Sequence, residues 1–287
     1  MYRIVDKQPL NGEVTRMVIE APRVAKAGKP GQFLILRIDE RGERVPLTLA
    51  ACDSVRGTVT IIFQKVGLTT HRLDELDVGG SLRDVAGPLG RPTEIEGVKR
   101  AALLAGGLGV AIAYPIAKAL KAHGADVHGF LGFRSRDLII LEDEFAECCS
   151  TFDCLTDDGS NGRKGFVTDG LRAALESGER FDRAFAIGPL PMMKAVCGLT
   201  GRFSLPTIVS MNSIMIDGTG MCGCCRLTVG GRVKFACVDG PDFDGSLVDF
   251  DEAMRRGSLY RDEERRAMHE CRLVSAAIVQ GSGVGEG

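Results

Sequence analysis

The residues best suited to chemistry lie in one glycine-rich stretch near the carboxyl end of the chain. Cys222, Cys225 and Cys237 follow the spacing C-x2-C-x11-C, and Asp217 precedes the first of them in a D-x4-C arrangement. This is the spacing of a plant-type [2Fe-2S] site with an aspartate in the place of the first thiolate. Glycines between these positions allow the close backbone approach and the inward N–H groups that a loop around a cluster needs. The stretch therefore indicates an iron–sulfur site.

A zinc site and a set of structural thiols remain open as alternatives. Zinc sites are usually built from two C-x2-C knuckles, or from one knuckle and a His pair. Here the second half offers only Cys237 and no nearby His. A disulfide knot needs an oxidising compartment, and the amino-terminal MYRIVDKQPL lacks the apolar segment of a secretion signal. The spacing favours iron–sulfur over both alternatives.

The identity of the first ligand is also open. Cys224 could be the fourth ligand, with Asp217 acting as a turn-former or a cap. Cys224 and Cys225 are adjacent and point in different directions, so that binding both to one small cluster would strain the loop. We therefore favour Asp217.

Composition is that of a soluble globular protein with two or three modules. The chain has 287 residues, 44% of them hydrophobic and 26% charged. The net charge of −2 argues against a nucleic-acid partner. The uncharged run 101–117 is interrupted by glycines and Pro115, which favours a buried strand–turn–helix over a membrane span. We expect a cytoplasmic protein, with no membrane partner, whose ten cysteines serve metal or redox chemistry.

Residues 1–96 form a first module of short β-type runs separated by turn residues, which predicts an antiparallel β-barrel or sandwich. The predicted strands are Arg3–Val5, Val14–Glu20, Gln32–Ile38, Val45–Ala50, Thr58–Phe63 and Ser81–Val85, with one short helix at Thr70–Leu76. Two features suggest anion binding: Arg44 and Thr48 flank a strand stiffened by Pro46, and the segment 67–70 opens the helix. An edge-strand charge and a helix cap are the simpler interpretations of the same residues.

Residues 97–209 form a second module that alternates strands and helices, as in an α/β doubly wound parallel sheet. The predicted strands are Ala101–Ala105, Val127–Phe133, Thr151–Leu155 and Arg183–Ile187, and the predicted helices follow Gly109, span Asp169–Glu176 and span Pro191–Leu199. The turn G-G-x-G after the first strand is a shortened dinucleotide-binding turn, although a tight turn without a ligand has the same pattern. A second glycine turn, Gly188-Pro189, follows the last clear strand.

Charge near the third strand of this module bears on the choice of nucleotide. Asp157 and Asp158 follow that strand, and carboxylates there would repel the 2′-phosphate of NADP. Arg134 and Arg136 would instead attract the 2′-phosphate and favour NADP. The balance favours NAD.

Residues 210–275 form the third module, which carries the cluster loop and a predicted hairpin of Arg226–Val229 with Arg232–Cys237. The hairpin should return Cys237 to Cys222 and Cys225. An acidic, turn-rich segment and a charged stretch at Glu252–Arg272, expected as exposed helix, come next. We expect residues 276–287 to form a flexible tail.

Taken together, these motifs resemble known flavin-dependent reductases. The flavin-binding elements of ferredoxin–NADP reductase-type modules are similar to Arg44-Val45-Pro46-Leu47-Thr48, to Gly67 with Thr69 and Thr70, and to Gly87-Pro88-Leu89-Gly90. Their pyridine-nucleotide half is similar to Gly106, Gly107 and Gly109, to Asp157 and its neighbours, with Arg134 nearby, and to Gly188, Pro189 and Met192. The cluster loop resembles that of dihydroorotate dehydrogenase electron-transfer subunits. The string MIDGTGMCGCCR most resembles the small subunit of NADH-dependent, electron-bifurcating ferredoxin:NADP oxidoreductases, also called the sulfide dehydrogenase β subunit.

The resemblance implies an oxidoreductase subunit with FAD in the barrel, NAD(H) on the doubly wound domain and a [2Fe-2S] cluster beyond it. It implies a large partner subunit, similar to the glutamate synthase small subunit, with a second FAD and [4Fe-4S] clusters, and ferredoxin as a partner of the complex. By the same analogy Asp217 and Cys222 bind one iron, Cys225 and Cys237 bind the other, and Cys224 is not a ligand.

Residue roles follow from the same resemblance. Arg44 and Thr48 would position the flavin and its phosphate, the glycines of the G-G-x-G turn would admit the pyrophosphate, and Asp157 would select the ribose. No catalytic acid–base residue is expected, since hydride transfer to flavin depends on orientation. An electron-transfer subunit of an NAD-dependent dihydroorotate dehydrogenase is the alternative function.

Overall fold

A computed structural model describes residues 1–267 and residue 269, and it shows three groups of elements in chain order. The first group is β1 (Tyr2–Pro9), β2 (Val14–Glu20), α1 (Pro22–Ala27), β3 (Phe33–Arg37), β4 (Val45–Thr48), β5 (Ala51–Asp53), β6 (Thr58–Gln64), α2 (Leu68–Asp74), β7 (Ser81–Leu82) and β8 (Asp84–Leu89). The second is β9 (Arg100–Gly106), α3 (Gly109–Ala122), β10 (Asp126–Phe133), α4 (Glu142–Cys148), β11 (Thr151–Thr156), α5 (Val167–Glu176), β12 (Arg183–Ile187), α6 (Leu190–Arg202) and β13 (Thr207–Ser210), with a 3-10 turn at Arg136–Leu138. The third is β14 (Arg226–Val229), β15 (Arg232–Phe235), β16 (Asp242–Asp244) and α7 (Phe250–Arg256).

The first group folds as two antiparallel sheets around one apolar core, which confirms the predicted antiparallel barrel. The larger sheet has the order β5-β6-β2-β1-β7 and the smaller has the order β4-β3-β8. Met17, Ile19, Leu34, Leu36 and Phe63 are buried between them. On β2 and β3 these residues alternate in the chain and so share one face of each strand; the opposite face of β3, with Phe33 and Ile35, is buried in a second core.

Two local predictions in the barrel are wrong. Ser81–Val85 is two strands rather than one, because the chain changes sheets at Arg83: β7 pairs with β1 and β8 pairs with β3. Period-two alternation continues through such a corner and does not reveal it. Helix α1 was not expected, and it begins at Pro22, where a missing N–H costs nothing.

The second group forms a parallel sheet with helices on both faces, as predicted. Its strand order is β11-β10-β9-β12-β13-β16. Ala101, Leu103 and Ala105 of β9 pack in the core that contains α3 and α4. Ala102 and Leu104 pack in the core that contains α5 and α6. The uncharged run 101–117 is therefore a buried strand, a turn and part of α3, and none of the described helices is long and apolar enough to cross a membrane.

The direction in which strands are added to this sheet reverses between β9 and β12. The chain places β10 and β11 on one side of β9 and then returns to place β12 and β13 on the other side. Open α/β sheets bind ligands at such a topological switch point, in the crevice beyond the carboxyl ends of the strands. The two predicted glycine turns follow β9 and β12, so both lie at this point.

The third group completes the sheet of the second. Residues 242–244, expected as part of a turn-rich segment, form β16, which pairs antiparallel with β13 through Val209 and Phe243. The hairpin β14–β15 turns at Gly230-Gly231, where both φ angles are positive, at 58° and 71°. Residues 261–267 are helical. Residue 268, residues 270–275 and the predicted tail at 276–287 lie outside the described residues, so that the end of the stretch predicted as exposed helix is not described.

Asp242 lies where the three groups of elements meet. Thr93, in the segment that leaves the barrel, donates its hydroxyl to Asp242 Oδ2 at 2.6 Å, and Ser210 of β13 is the residue opposite Asp242 in the strand pair. Asp242 Oδ1 is shielded from solvent and has no hydrogen-bond partner within the described structure. Burial of this carboxyl raises its pKa to about 6.

We expect Asp242→Asn to flatten the pH dependence of stability. Between pH 3.8, the ordinary pKa of an aspartate, and about pH 6, the raised pKa, the Asp242 carboxyl is mainly protonated in the folded state and mainly ionised in the unfolded state. Stability from this group is therefore lost as pH rises through that window, and above it the folded state contains a buried charge. As the pH rises from 5 to 8, the wild type should lose about 1 kcal/mol of unfolding free energy from this group. The variant, which has no carboxyl at this position, should not show that loss. Chemical denaturation of the intact protein at both pH values measures this. The exposed Asp137→Asn is the control, and parallel curves for wild type and D242N would contradict the expectation.

Candidate functional site

Asp217 organises the amino-terminal half of the cluster loop. Its Oδ1 accepts the backbone N–H of Thr219 and its Oδ2 accepts that of Cys222, each at 2.8 Å. The Thr219 N–H is the main cause of a lowered pKa for this carboxyl. The residue is thus a turn-former in this structure, as one alternative proposed. Each carboxylate oxygen keeps a second lone pair, so the same residue remains suited to ligate iron.

Glycine is required in this loop for conformation and for space. Gly218 and Gly220 have φ values of +78° and +83°, in the left-handed region that side chains disfavour. A Cβ on Gly218 would lie 2.7 Å from Leu89 Cδ1 and 2.9 Å from Ile35 Cδ1. The loop therefore packs directly on the barrel strands β3 and β8.

Cys225 and Cys237 are brought together by the hairpin β14–β15. Each is only 1% exposed, within an apolar core. The backbone N–H of Cys237 points at Cys225 Sγ, with N and S 3.4 Å apart. Hydrogen bonds from backbone N–H groups to sulfur are among the features that set the potential of an iron–sulfur cluster. Burial raises the pKa of the Cys237 thiol to about 12, so this residue is a poor thiolate without a cation beside it.

Cys222 and Cys224 lie nearer the surface. Cys222 is exposed, and the backbone N–H of Cys224 is the main cause of a lowered pKa for its thiol. The pKa of Cys224 is raised, mainly by burial. The carbonyl of Cys224 accepts a hydrogen bond from Arg256 Nη2 at 3.2 Å, which ties this residue to α7.

The chemistry of the donor set, three thiols and one carboxylate, fits a [2Fe-2S] cluster. All nine cysteines in the described part of the chain are free thiols. Among the same residues, no three His, Cys, Asp or Glu side chains converge as ligands of one metal ion. A [2Fe-2S] cluster distributes four such ligands over two irons.

The predicted flavin residues meet on the small sheet of the barrel. Strand β3 lies between β4 and β8, and its Phe33 is opposite both Thr48 and Leu89. The fold thus brings the segment 44–48 next to the segment 87–89. Pro46, Leu47, Gly87 and Pro88 are the neighbouring residues of these two segments and are partly exposed.

The third predicted flavin element, at the start of α2, uses its hydroxyls within the protein. Thr70 Oγ1 accepts the N–H groups of Val66 and Gly67, each at 3.1 Å, which caps the helix. Thr69 donates its hydroxyl to Glu43 at 2.7 Å. The structure therefore shows the simpler role for both threonines, and anion binding at Gly67, Thr69 and Thr70 stays a prediction.

The glycine turns of the second group pack against each other at the switch point. A Cβ on Gly109 would collide with the carbonyl oxygen of Ile187, and one on Gly106 would collide with Met192 Sδ. Gly107 has a φ of +53° and open space beside it. Gly188 and Pro189 continue the same surface. Gly106 and Gly109 are buried and serve close packing of the two turns, whereas Gly107 is partly exposed at the carboxyl edge of the sheet.

Arg134 and Asp157 follow β10 and β11 at that same edge. The backbone N–H of Asp157 donates to the carbonyl of Phe133 at 2.9 Å, so the ends of the two strands are adjacent. Both side chains are exposed. Asp158, by contrast, accepts the N–H and hydroxyl of Ser160 at 2.9 and 2.6 Å, and its carboxylate shapes the loop.

Arg44 has a role that the sequence did not predict. Its Nε donates to the carbonyl of Ile216 at 2.7 Å, and its Nη2 lies 3.5 Å from the carbonyl oxygen of Asp217. The side chain predicted to hold a flavin phosphate thus contacts the cluster loop. The partners are 172 positions apart, and no local pattern signals such a contact.

Comparison with known proteins agrees with this geometry. The family model for the iron–sulfur cluster binding domain of dihydroorotate dehydrogenase B matches residues 212–249. A Thermotoga maritima homologue of the dihydroorotate dehydrogenase B (NAD(+)) electron transfer subunit is 46% identical over 92% of this chain and 93% of its own length. The electron transfer subunit from a Geobacillus species is 34% identical over 85% of this chain and 96% of its own length. The solved structure of an NADH-dependent reduced ferredoxin-NADP oxidoreductase, described for flavin-based electron bifurcation, is 43% identical with a TM-score of 0.89, covering 94% of this chain and 97% of that one.

The fold and the site define an oxidoreductase electron-transfer subunit, with flavin- and nucleotide-binding modules followed by an iron–sulfur cluster-binding domain. The chain belongs to the family of dihydroorotate dehydrogenase B electron transfer subunits and their homologues. The predicted family and fold class are confirmed. The residue-level assignments stay predictions.

Substitution of the candidate ligands separates Asp217 from Cys224. We expect Cys224→Ser to leave the visible spectrum of the iron–sulfur cluster unchanged, because Cys224 is not a ligand in the favoured assignment. Asp217→Ala should weaken or abolish that spectrum, since the loop loses a ligand and two hydrogen bonds to its backbone. Absorption and iron content of anaerobically purified protein measure both. Loss of the cluster in C224S with retention in D217A would reverse the assignment.

Proposed function

We propose that this chain is the small subunit of a flavin-based electron-bifurcating, NADH-dependent ferredoxin:NADP oxidoreductase. In this role it passes electrons between NAD(H), FAD and a [2Fe-2S] cluster to a larger partner subunit. The observation that carries the proposal is the likeness to the bifurcating oxidoreductase structure, at 43% identity over nearly the whole of both chains. Asp217 also supports the proposal, because the string MIDGTGMCGCCR resembles the small subunit of these oxidoreductases at this aspartate as well as at the cysteines.

The bound FAD would convert the two-electron chemistry of NADH into the one-electron chemistry of the cluster. On the barrel, Arg44, Pro46, Leu47 and Thr48 would orient it together with Gly87, Pro88 and Leu89. Support comes from the sheet itself, in which Phe33 aligns Thr48 with Leu89. Gly67, Thr69 and Thr70 would approach its phosphates through backbone N–H groups, since the two hydroxyls are engaged within the protein.

NAD(H) would bind at the topological switch point. Of the proposed residues Gly106, Gly107 and Gly109, Gly107 is partly exposed there, and Gly188, Pro189 and Met192 of the neighbouring turn are also at least partly exposed. Asp157 would accept the ribose hydroxyls, and Arg134 would lie beside them. Hydride transfer then depends on orientation by these surfaces, and we assign no acid–base residue.

The cluster would be held by Asp217 and Cys222 on one iron and by Cys225 and Cys237 on the other. The first pair, Asp217 and Cys222, lies at the surface, where the neighbouring Met221 is 89% exposed and Ile216 is 48% exposed. An apolar rim around an exposed ligand suits contact with another protein. We propose that the large subunit, with its own FAD and [4Fe-4S] clusters, covers this rim and reacts with ferredoxin. The free thiols support a reducing compartment, the cytoplasm.

The second candidate function is that of an electron transfer subunit for a dihydroorotate dehydrogenase. The match of residues 212–249 to the cluster-binding domain of that enzyme favours it. Aspartate at position 217, in place of the cysteine expected of that subunit, counts against it.

Purification of the native complex distinguishes the two functions. We expect a brown protein with FAD, iron and acid-labile sulfide, associated with a large flavin and iron–sulfur subunit, that couples NADH and reduced ferredoxin to NADP reduction. Association with a dihydroorotate-oxidising subunit would favour the second candidate. A native complex without flavin, iron and sulfide would refute both.

Nucleotide choice tests the role of Asp157. We expect tighter binding of NADH than of NADPH, because an exposed carboxylate repels a 2′-phosphate. Asp157→Ala should reduce the preference by about tenfold, the effect of roughly 1.4 kcal/mol between two charges near a surface. Titrations of the purified subunit with both nucleotides measure it. Glu96→Ala removes the same charge at an exposed site preceding β9 and should leave the ratio unchanged. A wild-type preference for NADPH would contradict the assignment.

A further inference from the structure

The two halves of the cluster loop are positioned by different parts of the protein. Cys225 and Cys237 are held within the hairpin β14–β15, where the Ala236 N–H also donates to the Cys225 carbonyl at 3.2 Å. Asp217 lies outside that hairpin. The contacts on either side of it come from the barrel.

On the amino-terminal side of Asp217 the contact is with Arg44. Arg44 Nε donates to the Ile216 carbonyl at 2.7 Å, and its Nη2 approaches the Asp217 carbonyl at 3.5 Å. Arg44 immediately precedes β4, and its neighbour Glu43 accepts the Thr69 hydroxyl at 2.7 Å. The base of the arginine is therefore anchored to α2 as well as to the small sheet.

On the carboxyl-terminal side the contact is with the core of the small sheet. Gly218 packs against Leu89 of β8 and Ile35 of β3 so closely that a Cβ would overlap both side chains. The Asp217 backbone thus lies between a polar attachment to β4 and an apolar attachment to β8 and β3. Two of these strands, β4 and β8, carry proposed flavin residues, and β3 lies between them.

We propose that Arg44 is a positioning residue for the iron–sulfur cluster, fixing the Asp217 half of the ligand loop against the flavin-binding sheet. This inference rests on the proposed function for its cofactors. The guanidinium has five N–H donors, and two of its nitrogens point at the loop carbonyls, so donors remain for a flavin phosphate. One side chain can then set the relative position of the two redox groups.

The charge of Arg44 has a second effect. A cation near the cluster stabilises the more negative, reduced state and raises the reduction potential. Its removal should therefore lower that potential. Loss of the hydrogen bonds should also loosen the loop. The charge and the hydrogen bonds can be separated, because lysine keeps the charge and lacks the planar fork.

The test compares Arg44→Gln, Arg44→Lys and a control, Arg83→Gln, in the complete protein purified anaerobically and loaded to equal FAD content. Arg83 is a barrel arginine whose side chain pairs with Glu40 at 2.9 Å. The readouts are iron content, the electron paramagnetic resonance spectrum and potential of the reduced cluster, and the rate of cluster loss to a chelator. None of these requires turnover.

We expect R83Q to match the wild type in every readout. R44Q should lose its cluster about tenfold faster, as expected when a group that orients a metal ligand is removed, and its cluster potential should become more negative. R44K should show the faster loss with a potential closer to that of the wild type. If R44Q does not fold, the R44K loss rate decides.

Wild-type spectra, potentials and loss rates in the Arg44 variants would overturn the inference. A lower affinity for FAD with an unchanged cluster would show that Arg44 serves the flavin alone. Failure of the proposed function appears separately, as wild-type protein without flavin or iron.

Discussion

The attachment of the cluster loop to the barrel at both ends is the constraint on which the rest of the site depends. Before the first candidate ligand, Ile216 accepts a hydrogen bond from Arg44. After the last, Arg91 donates its side chain to the Val238 carbonyl at 3.1 Å and its backbone N–H to the Gly240 carbonyl at 2.6 Å. A redox site supported by strands at both ends is held more accurately than one on a free loop. The three groups of elements therefore act as one support for electron transfer.

Close contacts between glycines also shape the switch point of the parallel sheet, where nucleotide binding is proposed. At the switch point, Gly109 lies so close to the backbone of Ile187 and Gly188 that no side chain fits between the two turns, and Gly106 packs against the Met192 side chain. Gly107, between these two buried glycines, is partly exposed at the crevice where open α/β sheets bind ligands. Close packing and the proposed nucleotide-binding surface are thus adjacent in the chain, and a larger residue at Gly109 would disturb the packing.

Much of this arrangement follows from local sequence signals, and the rest depends on contacts between distant residues. Apolar periodicity and glycine turns identify β9, α3 and β12 with nearly correct bounds. The spacing of Asp217, Cys222, Cys225 and Cys237 identifies the cluster loop. Periodicity does not show that the chain changes sheets at Arg83, or that Asp242–Asp244 adds a strand to a sheet begun far earlier. The contact of Arg44 with Ile216 is equally invisible, because arginine before a strand fits a flavin phosphate, a surface charge and a long-range hydrogen bond.

Strand β16 has a consequence for the solubility of the protein. It pairs with β13, covers the backbone N–H and C=O groups along that border of the parallel sheet, and is itself the new outer strand, with only three residues. An uncovered border of this kind is a template on which other chains add strands, the usual start of aggregation. Truncation or proteolysis before Asp242 would leave β13 in that condition. The cluster-binding segment therefore also covers β13 and leaves a very short strand at this edge, a feature that limits the addition of other chains.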